Sequence, residues 1–262
     1  MKHNRAFLEQ LNGEWLDDFV YISKERLKDM DFEVIPFDGD DIENTLSCYV
    51  LDISKDIIIG SVESTTVFFK ECGVEVPEYL GYPKQLREFL GRDIREHQFN
   101  YLYNLDTPFF IKPSKGVKKF TGCLIDNVKS LQMISEFYDV KDNDGIFVSD
   151  KVEFVSEYRC FVHEEELKGI KHYSGDFKVF PNVDIIEKMI ESYTEANCAY
   201  TLDVGVDKEG NTLLVEVNDM WAIGSYGFDA RTYVLMCVRR MFEIGRQNNG
   251  EKTPLWKKIR RD

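Results

Sequence analysis

Strand-like and helix-like segments that alternate along the chain, with short hairpins between some strands, predict an α/β or α+β protein rather than a helical bundle. Two observations carry this expectation. Short apolar runs such as FEVIPF (32–37), FFIKP (109–113) and TLLVEVN (212–218) have strand character. Segments such as VKSLQMISEFYD after Asn127 and VDIIEKMIESYTE after Asn182 have helical periodicity and a capping amide in front.

The bulk numbers bound the rest. A chain of 262 residues holds one large domain or two small ones without covalent staples. Its six cysteines form no CxxC pair, which favours reduced core thiols over a disulfide frame or a zinc site. No apolar stretch of about 18 residues and no charged–apolar leader is read, so the expected compartment is cytoplasmic, with no membrane partner. With 47 acidic against 33 basic residues the net charge is −14, a field that argues against nucleic acid as a partner.

The elements follow in order. Residues 1–105 read as a short N-terminal α/β unit, with strands at 32–37, CYVLDI (48–53) and DIIIGSV (56–62) separated by acidic turns such as DGDD (38–41). A helix through VESTTVFFKEC is expected to end at Gly73. Another is expected from Pro83 through QLREFLGRDIREHQF, bent at Gly91. Residues 106–250 read as a second domain with longer elements. Its strands are FFIKP, a pair within KVEFVSEYRCFVHEEELKGIKHYSG joined at HEEE, and the hairpin of YTLDVGV (200–206) with TLLVEVN across DKEGN. The helix FDARTYVLMCVRRMFEIGR closes it, with Tyr233, Cys237 and Met241 on one face. Residues 251–262 form a basic tail, for which a solvated run is the simplest account.

Three clusters suggest chemistry. Glu216 and Asn218 lie two apart on a strand and project from one face, and the hairpin brings Asp203 to a similar height. Neighbours so placed lie within roughly 5–8 Å, so three oxygen donors can converge. That set suits Mg²⁺, which completes its shell with waters and substrate phosphates. Spacing alone also fits a solvated sheet face, but a carboxylate inside the apolar run LLVEV needs a partner. Lys112 ends the strand FFIKP, and Lys115, Lys118 and Lys119 follow in the loop SKGVKKFTG, a combination suited to polyphosphate. Neither GxxxxGKS/T nor a helix-opening GxGxxG occurs. In VEFVSEYRCFV, Glu153, Glu157 and Arg159 share a face opposite Phe154 and Tyr158. An apolar strip ending in a carboxylate can hold an adenine and accept from ribose hydroxyls, while Arg159 reaches phosphate. An edge strand with a surface ion pair fits these residues as well. After the last strand, Gly224 and Gly227 permit a tight turn, with Trp221 and Tyr226 either walling a pocket or plugging the sheet. The favoured reading has Trp221 packed and the turn amides facing a substrate. The four histidines are too dispersed to nominate a general base; His172 is the best placed, with a structural role the simpler account.

Taken in this order, the strand lysine, the glycine/lysine loop, VEFVSEYR, LDVGV and LLVEVN resemble the ATP-grasp superfamily over about 106–245. EVNDMWAIGSYG is similar to motifs of its clade named for two arginines and a lysine. EYRCFV is also similar to the eukaryotic cell-division-cycle family that assists assembly of a translation initiation factor. The resemblance implies an α+β ATP-grasp fold, two α+β subdomains clamping ATP. It implies that Lys112, with Lys118 or Lys119, contacts the phosphates, that Glu153 and Val155 border the adenine, and that Glu157 accepts from the ribose. Asp203, Glu216 and Asn218 would hold Mg²⁺; Arg159, Lys171 and Arg231 would be the phosphate-facing cations. The implied activity is an ATP- and Mg²⁺-dependent ligase that joins a small-molecule or peptide carboxylate to an amine through an acyl phosphate, releasing ADP. The second resemblance implies an alternative, an ATP-binding assembly factor acting on a protein partner.

Overall fold

The computed structural model describes residues 4–114 and 120–251, arranged around three four-stranded sheets. The chain opens with β1 (Asn4–Leu11), β2 (Glu14–Trp15), α1 (Asp18–Asp29), β3 (Phe32–Asp38), α2 (Ile42–Ser47), β4 (Asp56–Ile59) and α3 (Val62–Glu71). β1 runs parallel to β3 on one edge and to β4 on the other, with β2 turning back antiparallel at its end. Asp17 and Ser61 cap α1 and α3 by accepting from backbone amides in the first turn, which satisfies donors that have no helical partner. Then come β5 (Ile94–Gln98), β6 (Phe109–Pro113), β7 (Cys123–Ile125), α4 (Val128–Tyr138) and β8 (Gly145–Ser149). These strands form an antiparallel sheet in the order β5-β8-β6-β7. The last group is β9 (Phe154–His163), β10 (Glu166–Gly175), α5 (Val183–Ser192), β11 (Ala199–Asp207), β12 (Thr212–Asp219) and α6 (Ala230–Asn248). Its sheet, β10-β9-β11-β12, is also antiparallel throughout.

Each sheet has its own apolar core. Ile186, Met189 and Ile190 of α5 pack on Tyr158, Cys160, Leu202 and Leu214, covering one face of the β9–β12 sheet. The opposite face of β9 sends Phe161 into a core shared with β1, α3 and α6, where its ring stacks on Phe228 at 4.2 Å. Leu131 of α4 packs with Phe99, Ile111 and Ile146 on the third sheet. α6 is pinned by charge as well as by apolar burial. Arg240, 2% exposed, donates twice to Asp219 at the end of β12 (2.7 and 2.6 Å) and once to Glu243 (2.9 Å). The same Glu243 oxygen accepts from the amide of Cys198 at 2.9 Å.

Several expectations meet corrections. Residues 48–53 are not a strand: Asp52 accepts from the amide and hydroxyl of Ser54 and from Lys55, making a side-chain-stabilised turn that overrides β propensity. The expected helix from Pro83 is a 3₁₀ segment, Lys84–Phe89, followed by strand β5. Gly91 ends it with φ of +63°, and a β-carbon there would lie 2.6 Å from the Leu213 side chain, so both conformation and close approach require glycine. β1 and α1 are absent from the sequence reading. The sheet that carries β6 also includes β5, upstream of residue 106.

Arg240→Ala would leave two buried carboxylates without their counter-charge. A loss of about 3–5 kcal/mol in unfolding free energy is expected by urea titration. A loss smaller than about 1 kcal/mol would mean that the pair does not pin α6 to the sheet.

Candidate active site

The register of the β9–β12 sheet lines up charged residues across its strands. Lys171 of β10 pairs with Arg159 of β9, Arg159 with Asp203 of β11, and Asp203 with Glu216 of β12. Arg159 and Asp203 form a two-pronged pair, Nε to Oδ1 at 2.8 Å and Nη2 to Oδ2 at 2.7 Å, with both residues buried. Burial disfavours the guanidinium charge, but the Asp203 hydrogen bonds and charge outweigh it and hold Arg159 above its ordinary range. The guanidinium also donates to the Gly224 carbonyl at 3.3 Å and lies 4.7 Å from the centre of the Tyr226 ring. Tyr226 in turn stacks on Tyr173 at 5.2 Å. Asn218 joins the acids from β12, its Nδ2 donating to Asp203 Oδ2 (3.2 Å) and Glu216 Oε1 (3.3 Å).

A β-bulge explains how LLVEV serves both core and site. Asp203 faces Glu216 and the next pair is Val204 with Leu214, so Val215 is the extra residue. The bulge leaves Val215 and Glu216 both on the cavity side, while Leu214 and Val217 return to the core beneath. Arg92 accounts for the carbonyls at this irregularity, donating to Leu214 (2.9 Å) and Val215 (3.1 Å) as well as to Leu90 (2.9 Å). It also lies over the Tyr82 ring, 6.0 Å from its centre. Burial pushes its pKa down against the opposing pull of Tyr82.

Between this sheet and the β6–β8 sheet lies a cavity of about 410 Å³. One side is walled by Phe110, Lys112 and Ser149, the other by Glu157, Tyr173, Val215 and Glu216, with Tyr82 and Arg92 at its edge. Lys112, only 9% exposed, forms an ion pair with Glu216. Its ammonium also donates to the Tyr79 hydroxyl at 2.5 Å, and that hydroxyl donates to Glu216 Oε2 at 2.6 Å. The cavity is therefore a slot between two sheets, with the Lys112–Glu216 pair on its wall and a mixed lining in which Phe110, Leu124, Val152 and Val215 stand beside Asp150, Lys151 and Glu157.

The structure brings Lys112, Glu157, Arg159, Asp203, Glu216 and Asn218 together at or beside this cavity, and Lys171 into the same cross-strand row as Arg159. Glu153, Val155 and Arg231 lie elsewhere. Glu153 is exposed, and hydrogen bonds from Lys151 and Lys208 hold its carboxyl down to about 2. Val155 lies outside the cavity wall, its carbonyl accepting from Asp176; Val152 lines the wall instead. Arg231 is exposed in the first turn of α6. Lys118 and Lys119 fall outside the described residues. Trp221 packs edge-on against Phe69, as expected, but the turn offers the Gly224 carbonyl to Arg159. Arg92 and Tyr79 escaped the sequence reading. Arg92 was hidden by the expected helix, although an arginine directly after a helix-ending glycine was a usable signal. Tyr79 lies in an irregular stretch with no signal. Among the described residues no cluster of three or more His, Cys, Asp or Glu forms. No described helix is long and apolar enough to cross a membrane.

Two sheets gripping such a slot define the ATP-grasp fold, and solved structures of that class align with this chain almost end to end. D-alanine–D-alanine ligase from Bacillus anthracis covers 93% of this chain and 98% of its own at a TM-score of 0.54 and 12% identity. N5-carboxyaminoimidazole synthetase from Staphylococcus aureus gives 0.56 at 10% identity, over 90% of this chain and 77% of its own. L-amino acid ligase from Bacillus licheniformis gives 0.53 at 12% identity, over 97% and 79%. At these identities the likeness is one of fold. No functionally curated protein matches the sequence significantly. The family is shown by sequence: residues 89–236, more than half of the chain, match the model of the ATP-grasp domain, R2K clade family 2, and the chain belongs to that family.

Arg92→Ala should expose the irregularity in β12. Stripping charged donors from three partly buried carbonyls is expected to lower stability by about 2 kcal/mol, read as a shift in denaturant midpoint. An unchanged midpoint would mean that water replaces the guanidinium at no cost.

Proposed function

We propose that this chain is an ATP- and Mg²⁺-dependent ligase that activates a carboxylate as an acyl phosphate, joins it to an amine and releases ADP. The observation that carries the reading is the convergence of Lys112 with the row Arg159–Asp203–Glu216 and with Asn218 at the inter-sheet slot. Family membership and the fold of the ligases named above support it.

The residues fit their proposed tasks. The slot's walls of Phe110, Leu124 and Val215 suit a nucleobase, and Glu157 lines the same cavity as an acceptor for ribose hydroxyls. Lys112 stands at the phosphate end as a sheltered point charge, and Arg159 offers a planar fork for a second oxyanion. Asp203 and Glu216 supply hard oxygen donors, and Asn218 completes the set when its amide turns to present oxygen in place of Nδ2. A divalent cation bound there would supply charge neutralisation between phosphates. Phosphoryl transfer asks mainly for alignment and such neutralisation, so the absence of a nucleophile–histidine pair in the reading is no obstacle. The closure of two sheets around the slot would keep water from the activated carboxylate. The substrates proposed are small-molecule or peptide carboxylates and amines.

Asp203→Ala and Glu216→Ala are expected to abolish thermal stabilisation by Mg·ATP, measured as the shift in melting temperature with ligand. Full stabilisation in both variants would remove the cation site from these residues. Lys112→Met should weaken nucleotide binding by roughly thirtyfold, about 2 kcal/mol for a lost charge-assisted contact. Wild-type affinity in that variant would mean that the ammonium serves only Glu216. The reaction itself is tested by ADP release over pooled amino acids, peptides and amines, with mass analysis of products. Binding of nucleotide with no acceptor-stimulated ADP release from any pool would contradict the ligase.

A further inference from the structure

The slot carries one group to which the proposed reaction gives no task. Residues Val74–Leu80 form a strap without regular secondary structure, and Glu75, Val76, Glu78 and Tyr79 within it are exposed. The strap is anchored at its far end, where Gly81 and Val217 exchange backbone hydrogen bonds of 3.1 and 2.8 Å at the edge of β12. Gly81 has φ of +50°, and a β-carbon there would fall 2.4 Å from the Tyr79 ring, so glycine lets the ring fold back toward the site. The folded ring sits 4.7 Å from the Lys112 ammonium, and its hydroxyl accepts from Lys112 and donates to Glu216 Oε2.

The consequence is that each carboxylate oxygen of the pair already has a protein partner. Glu216 Oε2 takes Lys112 and Tyr79, and Oε1 takes Asn218. Asp203 Oδ1 takes Arg159, and Oδ2 takes Arg159 and Asn218. A phosphate oxygen arriving at Lys112 and a cation arriving at Glu216 would claim the positions that the phenol now bridges. Tyr79 is also the most easily removed of these partners, because it keeps 36% of its surface exposed and hangs from an exposed segment.

We propose that Tyr79 is a displaceable stand-in at the phosphate end of the slot: its hydroxyl bridges Lys112 and Glu216 in the nucleotide-free chain and withdraws, with the strap, as Mg·nucleotide enters. This rests on the nucleotide-binding reading above. It adds a residue to the binding machinery and makes the strap a moving part of it.

The test uses the full chain labelled with 3-fluorotyrosine, in which the Tyr79 signal is the one missing from Tyr79→Phe. Phe keeps the ring that packs against Gly81 and Lys112, so the variant should fold. Adding Mg²⁺ with a nonhydrolysable ATP analogue should move the wild-type Tyr79 signal toward that of a solvated tyrosine. Calorimetric titration should show Tyr79→Phe binding the analogue about two- to tenfold more tightly, since no hydrogen-bonded hydroxyl has to leave. A stationary Tyr79 signal, or a variant that binds equally or less well, would overturn the stand-in while leaving nucleotide binding in place. A wild type that binds no nucleotide at all would overturn the nucleotide reading itself, and Tyr79's role with it.

Discussion

The site depends on a balance of charge held inside the protein. Asp203 is 3% exposed and sits between strands, where an ionised carboxylate without a partner would cost several kcal/mol. Arg159 from the next strand meets both of its oxygens, and Lys112 from the facing sheet meets Glu216. Two cations and two carboxylates therefore neutralise one another across the slot. The arrangement tolerates burial because every charge has a geometrically matched partner. It is also poised for exchange, because cations that pair with carboxylates can equally pair with phosphates.

The backbone makes this balance available without spoiling the core. In a regular strand Leu214 and Glu216 would share one face, so with Glu216 at the cavity Leu214 would leave the core that Val217 occupies. One extra residue, Val215, resolves the conflict by shifting the phase between the pairs Asp203–Glu216 and Val204–Leu214. The cost of the irregularity falls on carbonyl groups, and Arg92 meets it. Arg92 also joins the segment between the 3₁₀ turn and β5 to β12, so the two sheets that form the slot share a charged tether. At the other end of β12, Asp219 and Arg240 tie the same strand to α6 and so to the N-terminal core. β12 is thus held at its bulge and at its C-terminal end, on either side of Glu216.

Much of this was legible in the sequence, and the parts that were not have physical causes. The pairing of Asp203 with Glu216 followed from strand period and hairpin length, which are local properties. The capped helices α4 and α5 announced themselves through Asn127 and Asn182. Residues 83–99 misled because their composition suits a helix, whereas Gly91 in a left-handed conformation stops the 3₁₀ turn and pairing with β8 makes Ile94–Gln98 a strand. Those are tertiary facts. Glu153 misled because the regular alternation was extended one residue past the start of β9, beyond which the chain follows exposed lysines. A bulge such as that at Val215 leaves no mark in a single sequence, since either register buries a comparable number of valines and leucines.

The internal neutralisation bears on how the proposed ligands would bind. A lone divalent cation approaching Asp203 and Glu216 meets carboxylates whose charge is already cancelled by Arg159 and Lys112, so its electrostatic gain is small. A lone polyphosphate approaching Lys112 and Arg159 would strip cations from buried carboxylates and leave them uncompensated. When both arrive, each guest compensates the group that the other deprives: phosphate takes the cations, the divalent ion takes the acids, and no buried charge is left unpaired. On the proposed reading each guest would therefore raise the affinity of the other, and linkage would make that effect equal in both directions. The same pairing that compensates these buried charges within the protein would make the slot a receptor for the metal–nucleotide complex rather than for either component.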